Sequence, residues 1–261
     1  MREWSESVAF ITGGGQGIGL GIARALAKRG VRLALADIDE AALARGREEL
    51  SPVTPVETFH LDVRDRAAFA AVADRAEERL GHVGLLFNNA GIVPVAPVTE
   101  LSYPKWDLAL DVNLTGVING VQTFLPRMLD RGAGGHLVNT ASGAGLVADA
   151  NVLYVTTKFA IVGLSESLRQ ALSGHGIDVS VLCPGPVDTG ILQNTRAADP
   201  SVAVPDSALA ATEAFLRGGA SIDDVGEMVV AAMTARAMWI HTGDLIRPAL
   251  QQRMAALLAS I

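Results

Sequence analysis

Of the chain's two tyrosines, Tyr154 stands four residues before Lys158 at the start of a helical pattern, within SGAGLVADANVLYVTTKFAIVGL. That spacing puts both side chains on one helix face, near enough to meet. Ser142 lies twelve positions upstream of Tyr154, just past the apolar run HLVNT, and so belongs at the carboxyl end of a strand. A phenol with a pKa near 10 accepts protons poorly at neutral pH, but a neighbouring ammonium favours its phenolate. The trio therefore makes sense as acid–base machinery. Tyr-x-x-x-Lys alone is an everyday helix pair, structural in most proteins, so its weight depends on what else the chain carries.

The second feature is FITGGGQGIGLGIARALAKRG, residues 10–30, where glycines stand at 13, 14, 15, 17, 19 and 21. A nucleoside-triphosphate loop would end in Gly-Lys-Ser/Thr, whereas Gly19 is followed by Leu20 and Gly21. The G-x-G-x-x-G spacing fails in every frame. What remains is Thr12-Gly13-x-x-x-Gly17-x-Gly19, whose glycines allow positive φ and close backbone approach while the helix starting near Gly17 offers free N–H groups to a pyrophosphate. Asp37 ends the next strand-like run, LALAD, at the distance where a dinucleotide site holds its ribose. Its carboxylate can accept both ribose hydroxyls of NAD and repels the 2'-phosphate of NADP. Ile38 and Asp39 follow it, so no adjacent cation rescues NADP. A positively charged nicotinamide would add to Lys158 in favouring the Tyr154 phenolate.

These residues need a scaffold that brings strand ends together. Apolar runs at Val8 to Thr12, Arg32 to Asp37, Val56 to Leu61, Val83 to Asn88, His136 to Thr140, Asp178 to Leu182 and Ala237 to Ile240 read as seven strands. Helical patterns at Gly17 to Arg29, Glu40 to Leu50, Ala67 to Leu80, Tyr103 to Arg131, Asn151 to His175 and Asp223 to Ala235 separate them. Near-continuous apolar strands alternating with helices predict an α/β, Rossmann-type doubly wound fold, its seven-stranded parallel sheet covered by helices on both faces. One domain over 1–261 is expected. Two intervals break the rhythm: 190–219, read as a substrate lid with a polar stretch before a short helix from Pro205 to Arg217, and 244–261, a last helix or arm.

Composition narrows the function classes. Apolar residues make up 49% and charged residues 19% of 261, and no apolar run is long enough for a membrane helix, so no membrane partner is expected. The start MREWSESVAF lacks a basic and apolar leader pattern, which points to a cytoplasmic protein. One cysteine, Cys183, excludes an internal disulfide, and five scattered histidines show no ligand spacing with it, so no metal is expected. A net charge of −7 without a basic cluster argues against nucleic acid.

With these motifs quoted, the chain resembles the short-chain dehydrogenase/reductase family, in its single-domain branch. TGGGQGIG matches the family's TGxxxGxG, NNAG at Asn88 to Gly91 its sheet-stabilising motif, and PGPVDT at Pro184 to Thr189 its PGxVxT segment. Thr157 stands where Ser usually precedes the lysine, and Gly21 where Ala is commoner. The resemblance implies an NAD-dependent oxidoreductase with Tyr154 as general base or acid, Lys158 lowering its pKa and holding the nicotinamide ribose, Ser142 holding the substrate oxygen, and Asn113, in DVNLTG, supporting a proton relay. It implies cofactor contacts at Gly13, Gln16, Gly17, Ile18 and Gly19, at Asp37, at Asp62 and Val63 beside the adenine, and at Asn89, Ala90 and Gly91. Pro184, Gly185, Val187 and Thr189 would hold the nicotinamide end.

A silent dinucleotide sensor would lack Tyr or Lys, and this chain keeps both. An epimerase or dehydratase of the family's longer branch has a different glycine spacing and a larger C-terminal substrate domain. Apolar lid residues Ile191, Leu192, Val202, Val204, Leu209 and Phe215 suggest an apolar alcohol or ketone rather than a sugar. LTGVINGVQTFLPRML and the ending MWIHTGDLIRPALQQRMAALL are similar to dehydrogenases of bulky aryl secondary alcohols; hydroxysteroid or 3-oxoacyl substrates stay open. The helices containing Phe124 and Phe159 are apolar on more faces than one sheet covers, and with the C-terminal segment they predict a homotetramer, or failing that a dimer.

Overall fold

The computed structural model describes residues 4–261. The seven apolar runs form strands β1 (Val8–Thr12), β2 (Arg32–Asp37), β3 (Val56–His60), β4 (Val83–Asn88), β5 (Gly135–Thr140), β6 (Ile177–Cys183) and β7 (Trp239–His241). All pair in parallel, in the order β3-β2-β1-β4-β5-β6-β7. Val8, Ala9, Phe10 and Ile11 have no exposed surface, as a strand covered on both faces requires. The chain winds outward from β1 to β3, then restarts at β4 on the other side of β1. The crevice between the carboxyl ends of β1 and β4 is where such a sheet takes its ligand.

Helices α1 (Gly17–Ala27), α2 (Glu40–Leu50) and α9 (Ile222–Thr234) cover one face, burying Ile22, Leu26, Leu43, Val229 and Met233 on β1, β2 and β4. Helices α3 (Arg66–Leu80), α5 (Gly116–Arg131) and α6 (Val152–Ala171) cover the other. There Phe10 of β1 meets Phe124 of α5 at 4.7 Å and Phe69 of α3 at 5.8 Å between ring centroids. Phe124 is thus a core residue and not part of an exposed face. Gly21 explains its own rarity: a Cβ there would overlap the Ile222 carbonyl oxygen, and one on Gly226 would overlap Gly21's own carbonyl oxygen. α1 and α9 touch backbone to backbone, flanked by ion pairs Arg24–Asp223 at 3.0 Å and Arg29–Glu227 at 2.8 Å.

The single helix expected over Tyr103 to Arg131 is interrupted. α4 (Tyr103–Leu110) passes through one wide π turn at Asp111–Thr115 before α5 begins. The polar stretch after Gly190 is not loop but α7 (Ile191–Ala198), followed by a 3-10 turn at Pro200–Val202 and by α8 (Asp206–Arg217). The last segment is α10 (Arg247–Leu258), whose Arg253 guanidinium stands 5.1 Å over the half-buried Phe159 ring of α6. The other element boundaries shift by a few residues, where ends fray. Among the described residues no helix is long and apolar enough to cross a membrane.

Candidate active site

The turn from β1 into α1 is built by glycines with distinct duties. Gly13 (φ +63°) and Gly17 (φ +54°) occupy the left-handed region that glycine adopts without strain. A Cβ on Gly13 would come within 3.0 Å of the Ala90 backbone, and one on Gly19 would run into the Gly13 carbonyl. Thr12 closes the loop from below, its hydroxyl accepting the N–H groups of Asn89 (2.9 Å) and Ala90 (3.1 Å). Asn89 returns its amide to the carbonyls of Thr12 and Gly13 at 3.2 and 3.3 Å and accepts the Thr140 hydroxyl. Side chains cap the first turns of α2, α3, α6 and α9. The first turn of α1, entered through the extended Gln16, has neither a side-chain cap nor an acid. Its N–H groups and positive dipole end suit a pyrophosphate, and the glycine cradle leaves backbone alone to meet it. Ile18 is partly buried and packs against the core.

Asp37 ends β2 as expected and is nearly buried. One oxygen accepts the Gly15 N–H at 3.0 Å and the other the Asp39 N–H at 3.1 Å, fixing the carboxylate beside the loop. Burial raises its pKa against these bonds. Asp62 is more engaged than its sequence position suggested. The Arg64 guanidinium grips both its oxygens at 2.6 to 3.0 Å, holding the carboxyl below its ordinary range. Val63 follows, buried, with its carbonyl accepting the Asn119 amide at 2.8 Å.

Ser142, Tyr154, Lys158 and Asn113 converge beyond the ends of β4 and β5. The α6 cap, Asn151 accepting the Tyr154 N–H at 3.3 Å, starts the helix so that Tyr154 and Lys158 share the face turned to Ser142. The Ser142 hydroxyl facing Tyr154 lowers the phenol's pKa, but burial outweighs it and the pKa stands above the usual value. Lys158 Nζ lies 5.4 Å from the Tyr154 ring centroid and donates to the Thr140 carbonyl at 3.1 Å. Burial pulls its pKa down to about 8, and pushes the nearby Cys183 thiol up to about 12. Gly91 sits between Lys158 and Asn113, since a Cβ on it would stand 3.6 Å from the one and 3.2 Å from the other. Asn113, in the π turn, exchanges two hydrogen bonds of 2.9 Å with the Ile92 backbone and donates to Thr157 Oγ1 at 3.2 Å.

The segment Pro184 to Thr189 is strapped in place by residues that carried no motif. Gly185 N–H donates to Thr242 Oγ1 at 2.9 Å, and the Pro186 carbonyl and Asp188 N–H pair with Ala220. Val187 is buried in the core, so its backbone is the part left to a ligand. Thr189 faces Gly17 across the mouth, 3.4 Å from where a Cβ on Gly17 would stand. Much of the apolar surface of 190–219 is covered. Leu192, Val202 and Val204 are buried, Ile191 and Leu209 half-buried and Phe215 exposed. The loop after β4 anchors it: Val93 N–H donates to Thr195 Oγ1 at 2.9 Å and Val95 N–H to the Val202 carbonyl at 2.7 Å.

A doubly wound parallel sheet with this glycine turn at its switch point defines a dinucleotide-binding α/β protein. More narrowly, the chain belongs to the short-chain dehydrogenase/reductase family: the family model described as short chain dehydrogenase matches residues 7–200. A C alpha-dehydrogenase of Sphingobium sp. is 30% identical over 269 aligned residues, spanning 100% of this chain and 88% of the relative. A galactitol 2-dehydrogenase of Agrobacterium fabrum is 36% identical over 185 residues, 70% of this chain and 72% of its own length. The crystal structure of a short-chain dehydrogenase/reductase from Burkholderia phymatum in complex with NAD superposes with a TM-score of 0.93 at 35% identity, covering 100% of this chain and 97% of that one.

Proposed function

We propose that the protein is a nicotinamide-dinucleotide-dependent oxidoreductase interconverting a secondary alcohol and its ketone, with NAD(H) preferred to NADP(H). The observation that carries this reading is the cluster in which Tyr154 faces Ser142 and has the buried Lys158 ammonium 5.4 Å from its ring. Gly13, Gln16, Gly17, Ile18 and Gly19 would receive the pyrophosphate, Asp37 the adenosine ribose, Asp62 and Val63 the adenine with Asn89, Ala90 and Gly91 beside it, and Pro184, Gly185, Val187 and Thr189 the nicotinamide end. The NAD-bound structure from Burkholderia phymatum supports this, and Asp37 argues for NAD because a 2'-phosphate would meet a carboxylate followed by Ile38 and Asp39 rather than a cation.

When bound, the nicotinamide would supply the hydride transfer. The chain's own part is the proton. Ser142 donates a hydrogen bond to the substrate oxygen and aligns it with Tyr154, whose phenol gives up its proton to a ketone and whose phenolate takes one from an alcohol. Lys158 holds positive charge beside the phenol as it ionises and anchors ribose hydroxyls. Asn113, locked between Ile92 and Thr157, supports the path by which the proton reaches solvent.

The substrate we propose is a bulky, aryl-bearing secondary alcohol, supported by the C alpha-dehydrogenase relative across the full chain. The galactitol 2-dehydrogenase relative favours a polyol as the second reading. The whole chain would work as one domain with its lid at 190–219, assembled as a homotetramer. The deciding experiment follows NADH and NADPH formation with 1-aryl alcohols and with polyols in parallel. Turnover of the aryl alcohols with NAD supports the proposal, turnover of polyols alone replaces the substrate class, and no turnover of either overturns the reading.

A further inference from the structure

We infer that Thr157 is a positioning residue for the proton chemistry of this site, an inference that rests on the assignment of Tyr154 as the proton-exchanging group. Its side chain is buried without exposed surface, one residue before Lys158. The single hydroxyl proton goes to the Tyr154 carbonyl at 2.8 Å, and the oxygen accepts the Asn113 amide at 3.2 Å. Asn113 is in turn clamped to both backbone groups of Ile92 at 2.9 Å. One hydroxyl thus joins three pieces of chain: the loop after β4, the π turn between α4 and α5, and the first turn of α6.

The connection is specific to a hydroxyl. The site needs one group that donates to a carbonyl and accepts from an amide at the same atom, which Ser and Thr supply and Val and Ala do not. Without it one Asn113 N–H is left buried and unpaired and can find a partner only by moving, while the Tyr154 carbonyl keeps its helical partner and loses the tie to the π turn. Such movement would shift the π turn beside Lys158 and release the first helical turn, which aims the phenol, from its tie to Asn113. An error of about 1 Å in aim slows proton transfer far more than it weakens ligand binding.

The test compares Thr157→Val, Thr157→Ala and Thr157→Ser, with rates expressed per NADH-binding site so that unfolded protein does not count as slow enzyme. The Val and Ala proteins are expected to lose about tenfold or more in kcat for alcohol oxidation, with KM for NAD nearly unchanged and the pH midpoint of kcat displaced upward. The Ser protein should keep the parental rate and midpoint. Two results overturn the inference: Val or Ala proteins that lose thermal stability yet keep kcat and midpoint per site, or a Ser protein as impaired as Val. Tyr154→Phe is measured beside them. If it stays active, the assignment beneath the inference fails and takes the inference with it; if it is inactive while Thr157→Val is normal, only the inference fails.

Discussion

Asp37 is a carboxylate held rigid by two backbone N–H groups, and rigidity is what makes it selective. A side chain free to swing could accommodate a 2'-phosphate; this one is tied to Gly15 and Asp39. Asp37→Ala is therefore expected to cut the ratio of kcat/KM for NAD over NADP at least about tenfold, the weight of one lost charge interaction. An unaltered ratio in initial-rate assays would remove Asp37 from cofactor choice. Lys158 carries a different cost, because a buried ammonium destabilises the fold it serves. Its folded pKa of about 8 lies below its ordinary 10.5, so the unfolded chain binds the proton more tightly. The penalty is full below pH 8 and fades as pH climbs to 10.5. Chemical denaturation should find the stability of Lys158→Met relative to the parent falling by about 3 kcal/mol between pH 7 and pH 10.5. A constant difference would mean that Lys158 is better solvated than its burial implies. Tyr154 and Lys158 were legible in sequence because four residues make one helix face. Thr140, Thr195 and Thr242 were not, since their hydroxyls bond partners 51 to 102 residues away and threonines carry no pattern.

At the scale of elements, Gly21 and Gly226 invert a simple rule. Alanine in a helix interior is ordinarily about 1 kcal/mol better than glycine. Here Gly21→Ala would drive a methyl into the Ile222 carbonyl and push α9 off α1, breaking the register of the flanking ion pairs. A net loss of about 1–3 kcal/mol is expected, as for an overpacked core. A Gly21→Ala protein that melts at or above the parent temperature would contradict the close helix contact. The strands, α1 to α3 and α6 were readable because each carries a long apolar stripe or run. α7 was not, because its buried contacts reduce to Leu192 and Thr195, two residues that define no period beside Gln193, Asn194 and Arg196. The π turn was hidden for a related reason: one extra residue in a helix leaves the apolar pattern on either side intact.

At the scale of the molecule, β7 is an edge strand with Trp239 partly exposed, and α10 leaves Met254, Leu257 and Leu258 largely uncovered. Apolar surface grouped along an open edge calls for a partner. Phe159 is half-buried with Arg253 over its ring, so the contacts proposed for a second copy include the exposed apolar side of α10 beside it. Light scattering is expected to give four chains for the parent and fewer for Leu257→Glu combined with Leu258→Glu; a fully active parent monomer at micromolar concentration would end the tetramer proposal. The central claim is that this assembly moves one proton through Tyr154 for each hydride its cofactor carries. Its most direct measurement pairs steady-state turnover with NADH binding, followed by fluorescence, in the Tyr154→Phe protein. The account predicts that turnover drops about 10² to 10⁴-fold while the dissociation constant for NADH stays within a few-fold of the parent's. A Tyr154→Phe protein that keeps more than about a tenth of the parental rate would contradict it.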